Sequence, residues 1–282
     1  MLIRDALNQA RKDLYEHQKN EHAAVELLTF VMEMETYQLF NSLDEEITTS
    51  QQERYQQVLN EYLNNKPLQH IIGYEVFLGR EFSVNEKVLI PRYETEELVE
   101  NILYSIDDYF NDYEEILVGD VGCGSLAIAL SIDLEEPRTN VYASDISEDA
   151  LEIAQLNNDK LGGNVTLLQG DLLQPFKGMK FDILVSNPPY IPKEEILDKS
   201  VKEFEPGMAL FGGDDGLYFY RQILKEAPNY IKDKAIVAFE IGHDQADALV
   251  KEARKYFIKD DIEVLKDING KNRMLFIYHN IR

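Results

Sequence analysis

The stretch Phe181-Asp182-Ile183-Leu184-Val185-Ser186-Asn187-Pro188-Pro189-Tyr190 decides the fold of this chain. Its apolar part, residues 183–185, is typical of a strand buried on both faces of a parallel sheet. The two prolines then end the strand, because neither can donate to a neighbouring strand and each fixes its own φ. We therefore expect Asn187 at the carboxyl end of a central strand, the edge where open α/β sheets bind ligands.

The residues that follow this strand form a candidate site for a planar –NH2 group. The Asn187 side-chain oxygen and the Pro188 carbonyl are two acceptors that face one point. Tyr190 adds a flat face on which such a group can stack. An ordinary strand-ending turn is the other interpretation, since Asn-Pro is a common turn dipeptide.

From about residue 94 onward, strand-like and helix-like segments alternate. The predicted strands are residues 115–119, 140–144, 165–168, 181–186, 235–241, 262–265 and 274–278. The predicted helices include residues 94–110, 147–161, 216–231 and 243–257. This alternation predicts an α/β fold with a seven-stranded, mostly parallel, doubly wound sheet. The last two strands should pair antiparallel because no helix separates them.

The first 75 residues have a helical pattern instead, with apolar side chains recurring at helix spacing. Ser50, followed three residues later by Glu53, predicts the start of a third helix. A helical bundle without clustered reactive side chains indicates a recognition or docking domain at residues 1–75. Residues 76–93 are predicted to be a β-hairpin linker, and residues 94–282 the second domain.

Three other strand ends carry side chains suited to a nucleoside ligand. In Asp120-Val121-Gly122-Cys123-Gly124-Ser125-Leu126, the glycines let the backbone turn tightly and approach a ligand at the start of a helix. Asp145 ends the second strand and can accept hydrogen bonds from both hydroxyls of a ribose, unless it only caps the helix that begins near Ser147. After the third strand, Asp171 offers a carboxylate for an exocyclic amino group and Leu172 an apolar wall for a purine.

Composition narrows the function further. The 282 residues carry a formal net charge of −24 and a single cysteine, Cys123. The charge repels phosphate backbones, so we expect no direct nucleic-acid binding, although high solubility alone also accounts for it. One cysteine excludes an internal disulfide and a cysteine-based zinc site, and we predict no metal site. No apolar run approaches membrane-spanning length and no apolar signal segment begins the chain, so we expect a cytoplasmic protein without membrane contact.

The motifs at the strand ends, in this order, resemble the class I S-adenosylmethionine-dependent methyltransferases that modify planar nitrogen. Within that class the chain is similar to the HemK/PrmC family, protein-(glutamine-N5) methyltransferases that act on peptide chain release factors. The resemblance covers nearly the whole chain. Further matching segments are residues 67–73 (PLQHIIG), 89–96 (LIPRYETE), 204–206 (FEP), 213–217 (GDDGL) and 240–245 (EIGHDQ). The chain departs from the family pattern at Leu126, where a third glycine is usual, and at Tyr93, where proline is usual.

The resemblance implies a methyl transfer from S-adenosylmethionine, which becomes S-adenosylhomocysteine. The acceptor would be the side-chain amide nitrogen (N5) of the glutamine in a release factor's Gly-Gly-Gln motif, and residues 1–75 would dock that protein. The implied substrate contacts are Asn187, Pro188, Pro189 and Tyr190, of which Asn187, Pro188 and Tyr190 would be catalytic. The implied cofactor contacts are Gly122, Cys123, Gly124, Ser125, Leu126, Asp145, Leu172 and Asn187. Asp171 is a further expected cofactor contact because of its position after the third strand.

Two other functions stay open at this point. An adenine-N6 nucleic-acid methyltransferase shares the Asn-Pro-Pro-Tyr motif, but it needs a basic face or a target-recognition domain to hold a flipped base. A non-catalytic protein that keeps the fold is favoured only by Leu126.

Leu126 and two acidic residues lead to further expectations about the cofactor pocket. The residues after Leu126 continue a helix pattern, so we expect Leu126 to have ordinary helical dihedrals and to point into packing between helix and sheet. The backbone N–H groups of residues 124–126 would then face the cofactor. Asp120 and Glu94 should form a negative pocket lip that suits a cationic cofactor.

Overall fold

The computed structural model of the chain describes residues 1–196 and 198–281. These residues divide into two compact units. The first comprises Met1–Tyr74 and residues 198–204, and the second comprises Glu75–Ile196 and residues 205–281. Across the described ranges, no helix combines the length and the apolar character needed to cross a membrane.

The elements are numbered in chain order. The helices are α1 (Ile3–Glu16), α2 (Ala23–Met32), α3 (Thr36–Asn41), α4 (Thr49–Leu63), α5 (Leu68–Ile72), α6 (Tyr93–Tyr109), α7 (Ala127–Glu135), α8 (Glu148–Leu161), α9 (Lys199–Phe204), α10 (Tyr218–Glu226) and α11 (Ala246–Ala253). The strands are β1 (Tyr74–Phe77), β2 (Arg80–Ser83), β3 (Ile116–Val121), β4 (Thr139–Asp145), β5 (Thr166–Gln169), β6 (Phe181–Ser186), β7 (Ile231–Glu240), β8 (Asp261–Lys266) and β9 (Asn272–His279). The first unit contains α1 to α5 and α9, and the second contains the other helices and the large sheet.

The helices of the first unit bury the apolar faces that their periodicity predicts. In α1, Ile3, Leu7 and Leu14 are buried on one side of the helix. They share one apolar cluster with Leu27 and Leu28 of α2. Burial of these faces, more than helix propensity, stabilises helices of this length.

Helix α4 begins two residues earlier than predicted. Thr48 is its N-cap: Thr48 Oγ1 accepts a hydrogen bond from the Gln51 N–H at 3.2 Å, and Gln51 Oε1 accepts one from the Thr48 N–H at 3.0 Å. Thr48 and Gln51 have the same spacing as Ser50 and Glu53, so the sequence contains two overlapping capping boxes. The prediction of Ser50 as the cap was wrong.

The large sheet has the strand order β5-β4-β3-β6-β7-β9-β8. Strand β9 is antiparallel to both of its neighbours, and all the other adjacent pairs are parallel. The predicted seven-stranded, mostly parallel, doubly wound sheet and its antiparallel last pair are confirmed. The chain runs outward from β3 to β5 and then places β6 on the other side of β3. This reversal between β3 and β6 is the switch point at which such sheets bind ligands.

Several predicted boundaries differ from the structure after β6, among them the end of α10, the start of β7 and both ends of α11, which was predicted at residues 243–257. Helix α10 ends at Glu226, five residues before the predicted end, because Pro228 follows and only the short 3-10 helix Ala227–Asn229 continues. Strand β7 begins at Ile231, four residues earlier than predicted, and its residues 232 and 233 are exposed. Their exposure masked the start of the strand in the apolar pattern.

Strand β6 lies at the centre of the sheet, and all six of its residues are buried. Ile183 and Val185 belong to one apolar cluster and Leu184 to the other, as expected for a strand covered on both faces. The Ser186 hydroxyl donates a hydrogen bond of 2.6 Å to the Val121 carbonyl. This bond joins the ends of β6 and β3 at the switch point.

Candidate active site

The structure brings the four predicted strand ends to one edge of the sheet. Strands β5, β4, β3 and β6 are consecutive neighbours and run parallel, so their carboxyl ends share that edge. The glycine-rich loop after β3, Asp145 at the end of β4, the turn after β5 and Asn187 after β6 follow these ends.

The loop after β3 is held against the end of β4 by its own backbone. The N–H groups of Gly122 and Cys123 both donate to the Ser144 carbonyl, at 2.8 and 3.0 Å. The Gly124 N–H donates to Asp145 Oδ2 at 3.0 Å. Gly122 and Gly124 have φ values of +76° and +52°, and a Cβ on either would meet no protein atom within 4 Å. Open space therefore lies beside both glycines, as a bound ligand requires.

Asp145 has both carboxylate oxygens engaged by backbone groups. Besides Gly124, the Ser147 N–H donates to it, to Oδ1 at 2.9 Å. Ser147 is the N-cap of α8, because its hydroxyl accepts the Ala150 N–H at 3.2 Å. The alternative interpretation of Asp145 as the helix cap is therefore wrong. Asp145 is half-buried, and a carboxylate has lone pairs for more than two hydrogen bonds.

The backbone conformation of Leu126 differs from the expected one. Its φ and ψ are 74° and 13°, a left-handed conformation, so the prediction of ordinary helical dihedrals was wrong. This is a conformation that glycine, the family's usual residue at this position, can adopt without strain. The Leu126 N–H donates to the Cys123 carbonyl at 2.8 Å, so this N–H does not face a ligand. Its side chain is fully buried in the apolar cluster beside the sheet, as predicted.

Two neighbours of Leu126 in the loop are also buried. Ser125 is 4% exposed, and its carbonyl accepts a hydrogen bond of 2.9 Å from Asn157 Nδ2. Burial raises the pKa of the Cys123 thiol well above its usual range, so the side chain is a neutral thiol. Both residues therefore contribute to the loop through their backbone and their packing, because their side chains are buried.

Asp120 does not lie at a pocket lip, contrary to expectation. It is fully buried in β3, and neither carboxylate oxygen has a hydrogen-bond partner of normal geometry among the described residues. Burial raises the pKa of Asp120 to about 7, the charge of Asp145 adds to the rise, and the Ala129 backbone N–H opposes it. Asp120 is thus a partly protonated group beneath the glycine-rich loop. Glu94 is half-buried in the first turn of α6.

The two predicted site residues in the turn after β5, Asp171 and Leu172, differ in their exposure to solvent. Asp171 is exposed, while Leu172 is half-buried in a left-handed conformation with φ of 49°. The Leu172 carbonyl accepts a hydrogen bond of 3.1 Å from the Ser144 hydroxyl. Ser144 thereby joins this turn to the end of β4, next to Asp145.

Asn187 is part of a buried chain of polar groups that the sequence did not reveal. Its Nδ2 donates to Thr95 Oγ1 at 3.3 Å, and Thr95 Oγ1 lies 2.5 Å from Glu240 Oε2. The Tyr190 hydroxyl lies 3.4 Å from Glu240 Oε1. Burial raises the pKa of Tyr190, and the Glu240 charge adds to the rise, so the phenol keeps its proton. Among the described residues, no group donates to Asn187 Oδ1 or to the Pro188 carbonyl.

Two later segments pack against the Pro-Pro-Tyr backbone: the loop that contains Gly212 and Gly216, and the segment after β7 that contains Gln245. The Tyr190 carbonyl accepts a hydrogen bond of 2.8 Å from Gln245 Nε2. A Cβ on Gly212 would lie 2.4 Å from the Pro189 carbonyl oxygen, and one on Gly216 would lie 2.2 Å from the Tyr190 carbonyl oxygen. Only glycine fits at either position, and this close packing fixes the motif after β6.

Thr95, Glu240 and Gln245 are the site residues that the sequence analysis missed. All three lie in segments that carry the family resemblance, residues 89–96 and 240–245, which was the available signal. Glu240 is the last residue of β7, the neighbour of β6, and it is 2% exposed. A carboxylate that is buried at the end of a strand next to β6 is a second sign that Glu240 belongs to the functional site.

Comparisons with known proteins show which sequences and folds are similar to this chain. The family model described as PrmC N-terminal domain matches residues 5–73, and the one described as Methyltransferase small domain matches residues 107–205. The release factor glutamine methyltransferase of Bacillus cereus is 44% identical over 280 residues, which cover 98% of this chain and 99% of that protein. The protein of the same name from Bacillus subtilis is 45% identical over 277 residues, which cover 97% of this chain and 96% of that protein.

Among solved structures, a methyltransferase from Pyrococcus furiosus has a similar fold. The TM-score is 0.54 at 16% sequence identity, and the match covers 79% of this chain and 98% of that chain. At this identity the likeness concerns the fold alone.

Proposed function

The chain belongs to the family of release factor glutamine methyltransferases, and from this premise we propose the reaction that it catalyses. It transfers a methyl group from S-adenosylmethionine to the N5 amide nitrogen of the glutamine in a release factor's Gly-Gly-Gln motif. Release factors act at the ribosome, so the cytoplasm is the proposed place of action.

The arrangement around Asn187 carries this proposal. Because Thr95 accepts a hydrogen bond from the Asn187 –NH2 group, the Asn187 Oδ1 atom is turned away from Thr95. Oδ1 and the Pro188 carbonyl are then two acceptors on adjacent residues with lone pairs available. A planar carboxamide –NH2 group has two N–H bonds that these acceptors match. Tyr190 provides the aromatic face beside them.

These two acceptors compensate for the weak nucleophilicity of the substrate nitrogen, which is the main difficulty of the reaction. A carboxamide nitrogen is a weak nucleophile because its lone pair is delocalised into the carbonyl. By accepting both N–H bonds, Asn187 and Pro188 raise the electron density on nitrogen and fix its direction. The nitrogen gains a bond to the methyl carbon and then releases one of these two protons to water, which leaves a neutral N-methyl amide. When bound, S-adenosylmethionine supplies the methyl group on a positively charged sulfur, which keeps the bonding electrons and leaves as the neutral thioether S-adenosylhomocysteine.

The residues near β3 and β4 fit the cofactor that this chemistry needs. Space is open beside Gly122 and Gly124, and the half-buried Asp145 carboxylate borders the same loop. We assign the cofactor's amino-acid end to the loop of residues 122–126 and its ribose to Asp145. The adenine is assigned to the turn that contains Asp171 and Leu172.

The first unit is proposed to dock the release factor. Its support is the match of residues 5–73 to the PrmC N-terminal domain and the lack of an assigned catalytic residue in that part of the chain. Docking energy from a remote surface should appear as a higher kcat/KM for the intact release factor than for a short Gly-Gly-Gln peptide. Equal values for the two substrates would contradict docking.

Mass spectrometry tests the reaction directly. The full chain is incubated with S-adenosylmethionine and a purified release factor, and the Gly-Gly-Gln peptide should gain one methyl group. A release factor with Gly-Gly-Glu lacks the acceptor nitrogen and should gain none. Asn187→Ala should lower kcat by about 100-fold to 1000-fold with the fold intact. Methyl transfer to adenine in DNA or RNA, with none to the peptide, would contradict the proposal.

A further inference from the structure

We propose that Thr95 and Glu240 are positioning residues that hold the Asn187 carboxamide in the orientation needed for methyl transfer. Neither residue is assigned a contact with a substrate, and both act through Asn187. The inference rests on the proposed function, because that function gives the Asn187 Oδ1 atom its role.

The three residues come from separate segments of the chain and meet at the carboxyl ends of β6 and β7. Thr95 lies in the first turn of α6 and is 4% exposed, and Glu240 is the last residue of β7 and is 2% exposed. Asn187 Nδ2 is 3.3 Å from Thr95 Oγ1, which is 2.5 Å from Glu240 Oε2. These contacts form a single line from carboxylate to hydroxyl to carboxamide.

The direction of the hydrogen bonds follows from counting protons. Thr95 has one hydroxyl proton, and the short contact with the Glu240 carboxylate assigns that proton to Glu240. Thr95 Oγ1 can then only accept from Asn187, so the –NH2 group must face Thr95. A carboxamide turned by half a rotation would place Asn187 Oδ1 against an oxygen that has no proton to donate. The buried hydroxyl therefore selects one of two orientations of nearly equal shape.

Glu240 is itself held in place from several sides. Its Oε1 atom lies 3.4 Å from the Tyr190 hydroxyl, and its backbone carbonyl accepts a hydrogen bond of 2.6 Å from Tyr220. Burial raises the pKa of Glu240 and the charge of Glu94 adds to the rise, while the hydrogen bonds from Thr95 and Tyr190 and the charge of Arg273 oppose it. One carboxylate thus orients Asn187 through Thr95 and also contacts Tyr190 of the same motif.

Removal of the Thr95 hydroxyl is the first arm of the test, with intact release factor as substrate. Thr95→Val keeps the branched shape, and kcat should fall about 10-fold to 100-fold while KM and cofactor affinity change less than about threefold. Thr95→Ser restores the hydroxyl and should keep kcat within about threefold of the parent. Ser105→Ala is the matched control, because it removes another buried hydroxyl of α6, which donates to the Asn101 carbonyl. It should leave kcat unchanged.

The second arm leaves the hydroxyl in place and changes its acceptor. Glu240→Gln keeps the side-chain shape but presents an N–H donor to Thr95, whose proton can then turn to Asn187 Oδ1. The kcat value should fall about 10-fold or more, with calorimetric affinity for S-adenosylmethionine within about threefold of the parent. If Thr95→Val does not fold, Glu240→Gln still tests the positioning role.

Several results would overturn the inference. Parental kcat in Thr95→Val or Glu240→Gln would do so, and so would an equal kcat loss in Thr95→Ser and Thr95→Val. A loss confined to melting temperature or cofactor affinity would assign both residues a structural role only. If the parent protein itself transfers no methyl group to the release factor, the proposed function fails, and this inference fails with it.

Discussion

The Asp145 carboxylate accepts a hydrogen bond from the backbone N–H of Gly124 at 3.0 Å, which joins the end of β4 to the loop after β3. Its other oxygen accepts the N–H of Ser147 at 2.9 Å. The protein thus uses the proposed ribose-binding residue to shape the loop proposed to hold the same cofactor. Changes at Asp145 should affect both cofactor affinity and the stability of the free protein.

We expect Asp145→Ala to weaken S-adenosylmethionine binding by about 1.5 to 3 kcal/mol, because a charge-assisted contact is lost. The free energy of unfolding of the free protein should also fall, by about 1 to 2 kcal/mol, because two backbone donors lose their acceptor. Titration calorimetry and urea unfolding measure the two effects. Asp171→Ala is the control, since that exposed side chain should affect affinity without a change in stability. Unchanged affinity in Asp145→Ala would remove the ribose assignment.

The backbone conformation of Leu126 decides which of two variants, Leu126→Ala or Leu126→Gly, is the more stable. Both Leu126→Ala and Leu126→Gly lose a fully buried side chain, at a cost of about 2 to 5 kcal/mol. Because φ is +74°, the glycine variant should be more stable than the alanine variant by about 1 kcal/mol. In an ordinary helical conformation the order would be reversed. Urea unfolding of the two variants measures the difference, and an alanine variant that is the more stable would show that the left-handed conformation is wrong.

Asp120 should make stability depend on pH. Its folded pKa of about 7 lies above the ordinary value of 3.8, so the native state keeps a proton that the unfolded chain loses in this window. The free energy of unfolding should therefore fall as the pH rises from 3.8 to about 7 and level off above it. Asp120→Asn should remove this contribution, which approaches about 1.4 kcal/mol per pH unit.

Urea unfolding of Asp120→Asn and the parent across this pH range measures the difference in slope. Asp112→Asn, a change at an exposed aspartate of the same unit, should follow the parent. Parallel curves for the parent and Asp120→Asn would mean that folding does not raise the pKa of Asp120.

Gly212 should be necessary for the geometry of the Asn-Pro-Pro-Tyr motif. An added Cβ would lie 2.4 Å from the Pro189 carbonyl oxygen and 2.7 Å from the Gly216 carbonyl oxygen, so the backbone has to shift. We expect Gly212→Ala to lower kcat by about 10-fold to 100-fold. Gly207→Ala is the matched control, because its Cβ would meet only the Phe211 ring at 3.9 Å. Equal kcat values for the two variants would show that the motif tolerates the displacement.

The sequence alone predicted the sheet and the edge at which the site lies. The apolar run at residues 183–185, with Pro188 and Pro189 shortly after it, specifies a central strand and its end, because apolar composition and the loss of N–H donors are local properties of the sequence. In a parallel sheet all carboxyl ends lie at one edge, so Asp145, Asp171 and Asn187 could be assigned to one site before any contact was known. Alternation of strands and helices likewise predicted the doubly wound topology, which the structure confirms.

Only the tertiary structure decided how those residues are held. Leu126 has the pattern of a helix start, but its left-handed conformation depends on closure of the loop onto Cys123 and β4. Thr95 and Glu240 are 145 positions apart, and their contact arises because α6 packs against the end of β7. Periodicity and turn chemistry report on neighbours along the chain. Hydrogen-bond partners and pKa values depend on distances and burial that exist only once the sheet and its helices have packed.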